Sequence, residues 1–579
     1  MIKMLLNKKH YGFWVLAGIF ALFFINLDGG RPFANPDEGR YIEIPREMVH
    51  SANYITPRLN AMKYFEKPPL MYWVQSAVIK YIGMDEQSMR LSIALFAFLG
   101  VLALYVLMRQ NADQKTALYS SVILAISPLY YFLSRLIILD MPLTAFISFA
   151  YLCFYQAVMT INPLHKRLWY YGLSTALGLG ILTKGIVMLA VTGPVFVIWL
   201  TLTKNWKNLL PLYLPTVILL FLVIVVPWHY FAHKANPDFL NKYFYVEHFL
   251  RYTTSVHGRY KPFWFFIPFV VLGLLPWTLL ALKGIQEGLK KYKPLTLYLV
   301  LWASWTVGFY SIGNSKLIPY ILPALIPLAG LSGIGLSEII NTKQNHWSLT
   351  SGVFLIAILG IAGFGVVEFW PELLRGSEEI AKPVLIASTI FLSLSGIYLL
   401  AEYKKNIQLL KVVSQFFLTG VILGFMCLLF DKPHRRLWIL FSCSITLIIL
   451  INCIAPTIQK TSVKPLAEII NTEKKEGDTI VSLDSYFQDL PVYTKTAPIT
   501  CVDAISELEY GMDTEAPKTH EWMLTKGRFM KEFGPGSGKA FWAIARRSSY
   551  DNFKSMVPSW TLKIKATNKE LVLFYHNGT

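Results

Sequence analysis

Hydrophobic and polar positions divide the chain into a long apolar part and a polar C-terminal part. Up to position 456 the sequence repeatedly forms runs of roughly 20 mostly apolar residues, the length that crosses a bilayer. The runs that we interpret as spans lie near residues 11–27, 89–108, 116–133, 141–160, 168–183, 185–202, 209–231, 263–282, 294–312, 317–337, 348–368, 383–401, 409–430 and 437–456. These are fourteen runs, but 168–183 and 185–202 touch, so one span could be counted twice. We therefore expect about 13 transmembrane helices. The pattern predicts a polytopic α-helical membrane protein with a soluble α/β domain at its C-terminal end.

Polar stretches mark the loops and the soluble part. The first loop covers residues 29–88, and within it the segment 71–83 is apolar on one face and too short to cross, which predicts an interfacial helix. A second large loop is expected at 232–262. Residues 1–456 then form the membrane domain, and residues 457–579 form the soluble domain. In the soluble domain the periodicity predicts a helix at LAEIINTEKKEG, strands at DTIVSLDS and KAFWAIARR, a helix near 551–556 and a terminal hairpin.

Composition and charge exclude other classes of protein. Hydrophobic residues make up 54% of the chain and charged residues 15%, whereas soluble globular proteins carry about 25% charged residues. The net charge is +19, but from Thr461 onward fifteen basic residues balance fifteen acidic ones. The basic excess therefore lies in the membrane part, where it is typical of cytoplasmic loops and of contact with anionic lipid. We expect a membrane protein that binds no nucleic acid.

Loop charges orient the chain only in part. Three lysines at positions 3, 8 and 9 precede the first span, which predicts an uncleaved anchor that begins in the cytoplasm. Alternation then places the first loop outside. Fourteen spans would return the C-terminal domain to the cytoplasm, whereas an odd number would leave it outside, on the side of the first loop. The sequence alone leaves this parity open.

Charged residues at the membrane edge gather in five loops, all assigned to the outer face. The motifs are NPDEGRY (Asp37, Glu38, Arg40, Tyr41), YFEKPPL (Tyr64, Glu66, Lys67), SRLIILDMP (Arg135, Asp140), LTKG (Lys184), VEHFLRY (Glu247, His248, Arg251) and NSKLIPYILP (Lys316, Tyr320). Lysine and arginine can hold a lipid-borne phosphate there through charge-assisted hydrogen bonds. Carboxylates can orient or deprotonate an acceptor, or bind a cationic group or a metal. Together these residues indicate transfer of a group from a lipid phosphate carrier.

The same motifs, in the same order, carry a family resemblance that covers the whole chain. The order DExRY, E-K-P-P-L, R-x4-D-M-P, L-T-K-G, E-H-x2-R and S-K-L-x2-Y-x-L-P resembles bacterial GT-C fold glycosyltransferases of the protein mannosyltransferase-like superfamily. Within that group it is most similar to the lipid A aminoarabinose transferases. The resemblance implies an enzyme of the bacterial inner membrane whose active site and C-terminal domain face the periplasm. It also implies that the GT-C catalytic domain moves 4-amino-4-deoxy-L-arabinose from undecaprenyl phosphate to lipid A phosphates, a modification that confers resistance to polymyxin and other cationic peptides.

The resemblance also implies roles for individual residues. Asp37 and Asp140 would be catalytic, in a direct displacement at the anomeric carbon. The residues implied to bind the carrier phosphate and the donor are Lys67, Arg40, Tyr41, Tyr64, Lys184, Arg251, Lys316 and Tyr320. Glu66 and His248 would hold a divalent metal, zinc or similar. The expected partners are the undecaprenyl-linked donor, lipid A and membrane lipid, and the protein is expected to be a monomer.

Simpler structural roles and other functions remain open at this point. The structural alternatives are an Asp37–Arg40 loop ion pair, a snorkelling Lys67, an Arg135–Asp140 pair, a topological Lys184 and an interfacial His248. The enzyme could also be a relative that transfers another sugar, such as mannose or galactosamine, or that uses a protein or glycan acceptor. A secondary transporter is a distant alternative, since the chain lacks repeat symmetry and midplane charges. The soluble domain is expected to act as a lid or to dock the acceptor.

Overall fold

The computed structural model describes residues 11–250, 261–342, 462–504, 506–568 and 570–578, together with isolated helical positions between 348 and 452. At His248, Phe249 and Ser506 only the backbone is described. Within these residues the chain is mostly helical and ends in a region built on a β-sheet. Arg251 and the expected spans 348–368, 383–401 and 409–430, with most of 437–456, lie outside the described residues.

Helices fill the part of the chain up to residue 342. The α-helices described there are α1 (Tyr11–Phe24), α2 (Asp37–Ser51), α3 (Leu70–Tyr81), α4 (Glu86–Asn111), α5 (Gln114–Ala125), α6 (Pro128–Leu133), α7 (Asp140–Met159), α8 (Pro163–Lys184), α9 (Val187–Thr203), α10 (Leu214–Ala235), α11 (Phe266–Gly273), α12 (Leu280–Lys291), α13 (Lys293–Ile312) and α14 (Leu322–Thr342). Among the described residues, five helical stretches are long and apolar enough to cross a membrane: Glu86–Asn111, Asp140–Met159, Leu214–Ala235, Lys293–Ile312 and Ile318–Thr342.

Two segments that we predicted as single spans are broken helices. The segment 116–133 divides into α5 and α6, and Pro128 is the first residue of the second helix. The segment 263–282 divides into α11 and α12, with Pro276 in the connection. Proline has no N–H to continue a helix and disfavours the helical conformation of the residue before it, so each helix ends ahead of the proline. Mean hydropathy over a window does not register such a break.

Helices α7 and α14 are the most buried of the five long apolar helices that the structure describes. Most of α7 is buried by its neighbours (89% of its most apolar window), whereas α10 exposes nearly all of its surface (6% buried). A helix whose apolar surface is exposed in this way faces lipid. Asp140 is the first residue of α7, so it lies at the start of a helix that the other helices enclose.

The first loop is anchored to the membrane helices by a buried carboxylate. Glu38 is fully buried and accepts hydrogen bonds from Arg90 at 2.9 and 3.1 Å and from the backbone N–H of Ile137 at 3.1 Å. Burial alone would raise the pKa of Glu38, but Arg90 and Arg31 outweigh it and lower the pKa. Glu38, which is next in the chain to the predicted catalytic residue Asp37, therefore fastens the loop to α4.

The C-terminal region is a six-stranded mixed sheet flanked by short helices. Its strands are β3 (Thr479–Leu483), β4 (Thr500–Val502), β5 (Met523–Leu524), β6 (Phe541–Arg546), β7 (Lys563–Thr567) and β8 (Leu571–His576), after the β1–β2 hairpin of the first loop (Arg58–Leu59 and Met62–Lys63). The sheet order is β5-β4-β3-β6-β8-β7, parallel from β5 to β6 and antiparallel beyond it. The predicted strands, the helix at Arg547–Met556 and the terminal hairpin are present, while β4 and β5 were too short to give a periodic signal.

The C-terminal region packs directly on the first loop. Arg58 binds Glu515 through two hydrogen bonds of 2.9 and 3.1 Å. The side-chain amide of Asn60 donates to the carbonyl of Ile499 at 3.0 Å and accepts from its N–H at 2.7 Å. The two parts therefore lie on the same face of the membrane, which excludes the arrangement given by fourteen spans, with the C-terminal region on the face opposite the first loop.

Candidate active site

Three carboxylates surround the guanidinium of Arg40. Helix α2 begins at Asp37, and Arg40 follows one turn later. An Nη of Arg40 lies 2.7 Å from Glu507, and Asp37 and Glu66 each lie 3.9 Å from the guanidinium. The side chain of Asp37 is 54% exposed, whereas Glu66 and Glu507 are mostly buried. The four groups together carry a net negative charge, and Asp37 is the carboxylate most accessible to a substrate.

Glu507 is a site residue that sequence reasoning missed. It lies in the 3-10 helix Ser506–Leu508 of the C-terminal region and is steadied by a hydrogen bond from the side-chain amide of Gln488. Burial raises the pKa of Glu507, while the charge of Arg40 opposes this shift. No motif marks Glu507, because only the packing of the C-terminal region on the first loop brings it to Arg40.

Three buried tyrosines line the same cluster. The ring of Tyr64 lies 6.0 Å from the guanidinium of Arg40, and Tyr41 stacks on Tyr72 with a centroid distance of 6.1 Å. Among the described residues, the hydroxyls of Tyr64 and Tyr72 and the Nε of Arg40 have no hydrogen-bond partner. Buried polar groups in folded proteins are normally satisfied, so these unpaired donors mark the cluster as a candidate binding site.

Asp140, Lys184 and Tyr320 form a second cluster. The ammonium of Lys184 lies 2.7 Å from Asp140 and 4.5 Å from the centre of the Tyr320 ring. Asp140 opens α7 and Lys184 closes α8. Gly185 ends α8 with φ +82°, a left-handed conformation that favours glycine and explains the glycine of the LTKG motif.

The alternative pairing of Arg135 with Asp140 is wrong. Arg135 donates to the carbonyls of Asn26 at 2.6 Å and Ile25 at 2.7 Å and lies over the ring of Tyr131. These carbonyls follow the end of α1, where carbonyls lack intrahelical partners. Arg135 therefore caps α1, and the partner of Asp140 is a lysine from α8.

Two observations connect the clusters. Phe65, next to Glu66 in the chain, packs in one apolar cluster with Leu182 of α8 and Tyr243 of the following loop. Burial raises the pKa of Tyr41. The nearby carboxylates of Asp37, Glu66 and Asp140 raise this pKa further, while the charge of Arg40 lowers it. Charged residues of the first loop and the start of α7 therefore lie near one phenol.

The remaining predicted lysines are held by backbone oxygens. The ammonium of Lys67 donates to the carbonyl of Glu66 at 3.0 Å. Lys316 donates to the carbonyls of Gly313 at 2.6 Å and Lys261 at 3.0 Å. These bonds fix the positions of two of the cationic groups that the sequence motifs predicted.

The predicted second loop contains a π-helix, Asn241–Leu250. Its Glu247 is buried and pairs with Lys242 at 3.2 Å. The backbone of His248 lies in this helix, but its side chain and the whole of Arg251 lie outside the described residues. The donor-binding role expected for Arg251 therefore stays a prediction.

The described residues do not by themselves make a metal site. No group of three or more His, Cys, Asp or Glu side chains that could hold a metal is found among them. Glu66 faces the guanidinium of Arg40 at 3.9 Å, so an arginine already balances part of its charge. A divalent metal held by Glu66 and His248 stays a prediction, and the chemistry below does not depend on it.

Comparison with known proteins identifies the family. The profile described as "Dolichyl-phosphate-mannose-protein mannosyltransferase" matches residues 12–243. An undecaprenyl phosphate-α-4-amino-4-deoxy-L-arabinose arabinosyl transferase from Enterobacter sp. (strain 638) is 31% identical over 399 residues, 67% of this chain and 71% of the relative. A protein of the same name from Erwinia tasmaniensis is 28% identical over 525 residues, 88% of each chain.

Solved structures show the same fold. The crystal structure of ArnT from Cupriavidus metallidurans bound to undecaprenyl phosphate is similar with a TM-score of 0.79 and 24% identity, over 98% of both chains. The apo form of that protein gives a TM-score of 0.77 at 23% identity, again over 98% of both chains. The fold class predicted from the sequence is confirmed, and the transporter alternative is excluded. The chain belongs to the undecaprenyl phosphate-α-4-amino-4-deoxy-L-arabinose arabinosyl transferases, a family of GT-C membrane glycosyltransferases.

Proposed function

We propose that the enzyme transfers 4-amino-4-deoxy-L-arabinose from undecaprenyl phosphate to a phosphate group of lipid A, on the periplasmic face of the inner membrane. Family membership supports the donor. The observation that carries the proposal for this chain is the group of three carboxylates around Arg40. That group belongs to the face on which the first loop and the C-terminal region meet.

The carboxylate group suits a sugar that carries an ammonium. Asp37, Glu66 and Glu507 together bear more negative charge than Arg40 balances. A neutral sugar such as mannose carries no charge that could balance the excess negative charge of the carboxylates. The 4-amino group of aminoarabinose is a cation, which the carboxylates can bind through charge-assisted hydrogen bonds. The exposed Asp37 is the carboxylate placed to receive it.

The lysines suit the leaving phosphate. In a direct displacement an acceptor oxygen attacks the anomeric carbon, the bond from that carbon to the carrier phosphate oxygen breaks, and the phosphate leaves with the bonding electrons. The negative charge grows on the carrier phosphate, and Lys67 and Lys184 supply positive charge that stabilises it. A lipid A phosphate is already anionic at neutral pH, so the reaction needs no strong base, and Asp37 orients the reacting groups.

Substrate competition tests this proposal. The purified enzyme in liposomes is offered undecaprenyl phosphate carrying aminoarabinose, mannose or galactosamine, and lipid A with or without its phosphates, and products are scored by mass. We expect transfer only from the aminoarabinose donor and only to phosphorylated lipid A. Equal transfer from the mannose donor would contradict the claim that the carboxylates select a sugar with an ammonium group. Transfer to dephosphorylated lipid A would contradict the claim that a phosphate is the acceptor.

A further inference from the structure

A polar cavity opens at the ends of α7 and α8 opposite to those that carry Asp140 and Lys184. It has a volume of about 780 Å³ and lies between the end of α7, the start of α8, the end of α9 and the start of α13. Helix α7 has 20 residues, and at about 1.5 Å per residue it is as long as the hydrocarbon core is thick. Since Asp140 opens α7, the cavity lies on the other face of the membrane from the active site.

The lining of this cavity is cationic. Lys166, Lys207 and Lys293 line it together with the amides of Asn205 and Asn208, and no Asp or Glu is among the described lining residues. Our orientation of the chain places the loops that carry these lysines in the cytoplasm. The cavity therefore offers positive charge and hydrogen-bond donors to an anion from the cytoplasmic side.

Two of the three lysines have charges that no carboxylate of the described chain balances. Lys207 and Lys293 are exposed, and neither forms an ion pair with any described residue. Lys166 is buried, and its ammonium donates to the carbonyls of Asn208 at 2.5 Å and Leu210 at 2.8 Å. An ammonium has three N–H donors, so Lys166 retains one for a ligand.

The rim of the cavity is apolar and exposed. Ile161 and Leu210 of the lining are 95% and 65% exposed, and the adjacent Trp206 is 47% exposed. Tryptophan at such a position is typical of the membrane–water interface. An occupant that satisfies both surfaces has an anionic head for the lysines and an apolar tail for the rim, which a free phosphate ion lacks.

We propose that this cavity binds the phosphate headgroup of an anionic phospholipid from the cytoplasmic leaflet. Basic pockets between transmembrane helices on this side of a membrane recognise such headgroups. The site lies across the membrane from Asp37 and Asp140, so a lipid bound there leaves the donor and acceptor sites free.

Native mass spectrometry of the full-length protein in a neutral detergent tests the proposal with dioctanoyl phosphatidylglycerol as the probe. The double variant Lys207→Gln/Lys293→Gln removes two lysine contacts, and we expect its affinity to fall by about 30-fold. Lys207→Arg/Lys293→Arg keeps the charge and should bind within about threefold of the wild type. The matched control Lys115→Gln/Lys290→Gln removes the same charge from exposed positions on the same face and should bind like the wild type.

Two further binding measurements distinguish an anionic lipid from a free phosphate ion as the ligand. Dioctanoyl phosphatidylcholine should bind the wild type at least about tenfold more weakly than phosphatidylglycerol, and inorganic phosphate alone should give no saturable complex. Equal affinities of the wild type and the Gln double variant would overturn the proposal. Saturable binding of inorganic phosphate without a preference for the anionic lipid would overturn the lipid assignment.

Discussion

Replacing Arg40 with glutamine removes a cation that lies within 4 Å of all three carboxylates. At an effective dielectric constant near 20, the attraction across 2.7 Å to Glu507 is about 6 kcal/mol and that across 3.9 Å to Glu66 is about 4 kcal/mol. Solvent screens the contact with the exposed Asp37, which contributes little. Desolvation offsets most of these gross values, and losing one partner of a buried pair typically costs about 3–5 kcal/mol. We therefore expect Arg40→Gln to destabilise the protein by about 3–5 kcal/mol.

Replacing Glu507 should cost much less. Glu507→Gln leaves Arg40 with Asp37 and Glu66 as partners, so we expect a loss of about 1 kcal/mol, the value of one ordinary hydrogen bond. In Arg40→Gln/Glu507→Gln the carboxylate at position 507 is absent, so the loss of Arg40 leaves no buried negative charge there. The double variant should therefore recover part of the stability that Arg40→Gln loses.

A double-mutant cycle measures this coupling. Thermal unfolding midpoints of the wild type, the two single variants and Arg40→Gln/Glu507→Gln are compared in one detergent. Arg58→Gln, which breaks a more exposed pair with Glu515 on the same loop, is the control and should lower the midpoint less than Arg40→Gln. Losses that simply add in the double variant, or a Glu507→Gln loss as large as that of Arg40→Gln, would refute the reasoning.

Three further predictions concern charge, pH and packing. Lys184→Ala should slow transfer by about 100-fold, whereas Lys80→Ala on the first loop should leave the rate unchanged in the same liposome assay. Burial beside a second carboxylate raises the pKa of Glu47 from 4.5 to about 8, so the folded state keeps a proton that the unfolded state has released, and stability falls as pH rises through this window. Glu47→Gln should remove this loss of stability, so the thermal unfolding midpoint should rise at about pH 8 and change little at about pH 4. An equal rise of the midpoint at both pH values would contradict the raised pKa of Glu47. A methyl group added at Gly39 would meet the backbone of the C-terminal region at 2.6 Å, so Gly39→Ala should make that region accessible to limited proteolysis, while Gly18→Ala, with open space around it, should not.

The sequence was sufficient to predict the fold class and much of the candidate site. Asp140 and Lys184 stand at the ends of neighbouring helices, and the alternation of spans places such ends on one face. Their pairing at 2.7 Å follows from that placement. Glu507 could not be found in this way, because its contact with Arg40 joins residues 467 positions apart through the packing of two separate regions.

Hydropathy also failed where the backbone, not the side chains, decides the structure. Pro128 and Pro276 end helices inside segments whose average hydropathy remains that of a span. The parity of the spans was open for a related reason, since counting apolar segments does not reveal contacts between loops. The pair formed by Asn60 and Ile499 places the C-terminal region beside the first loop without any count.

The most direct test of the account is the rate of aminoarabinose transfer to lipid A by Asp37→Asn in liposomes, measured beside wild type and Asp513→Asn. Asp37 is the exposed carboxylate of the Arg40 group, whereas Asp513 is an exposed acid of the C-terminal region. The account predicts a loss of about 100-fold or more for Asp37→Asn, with normal folding, and no change for Asp513→Asn. An Asp37→Asn enzyme that transfers the sugar at the wild-type rate would contradict it.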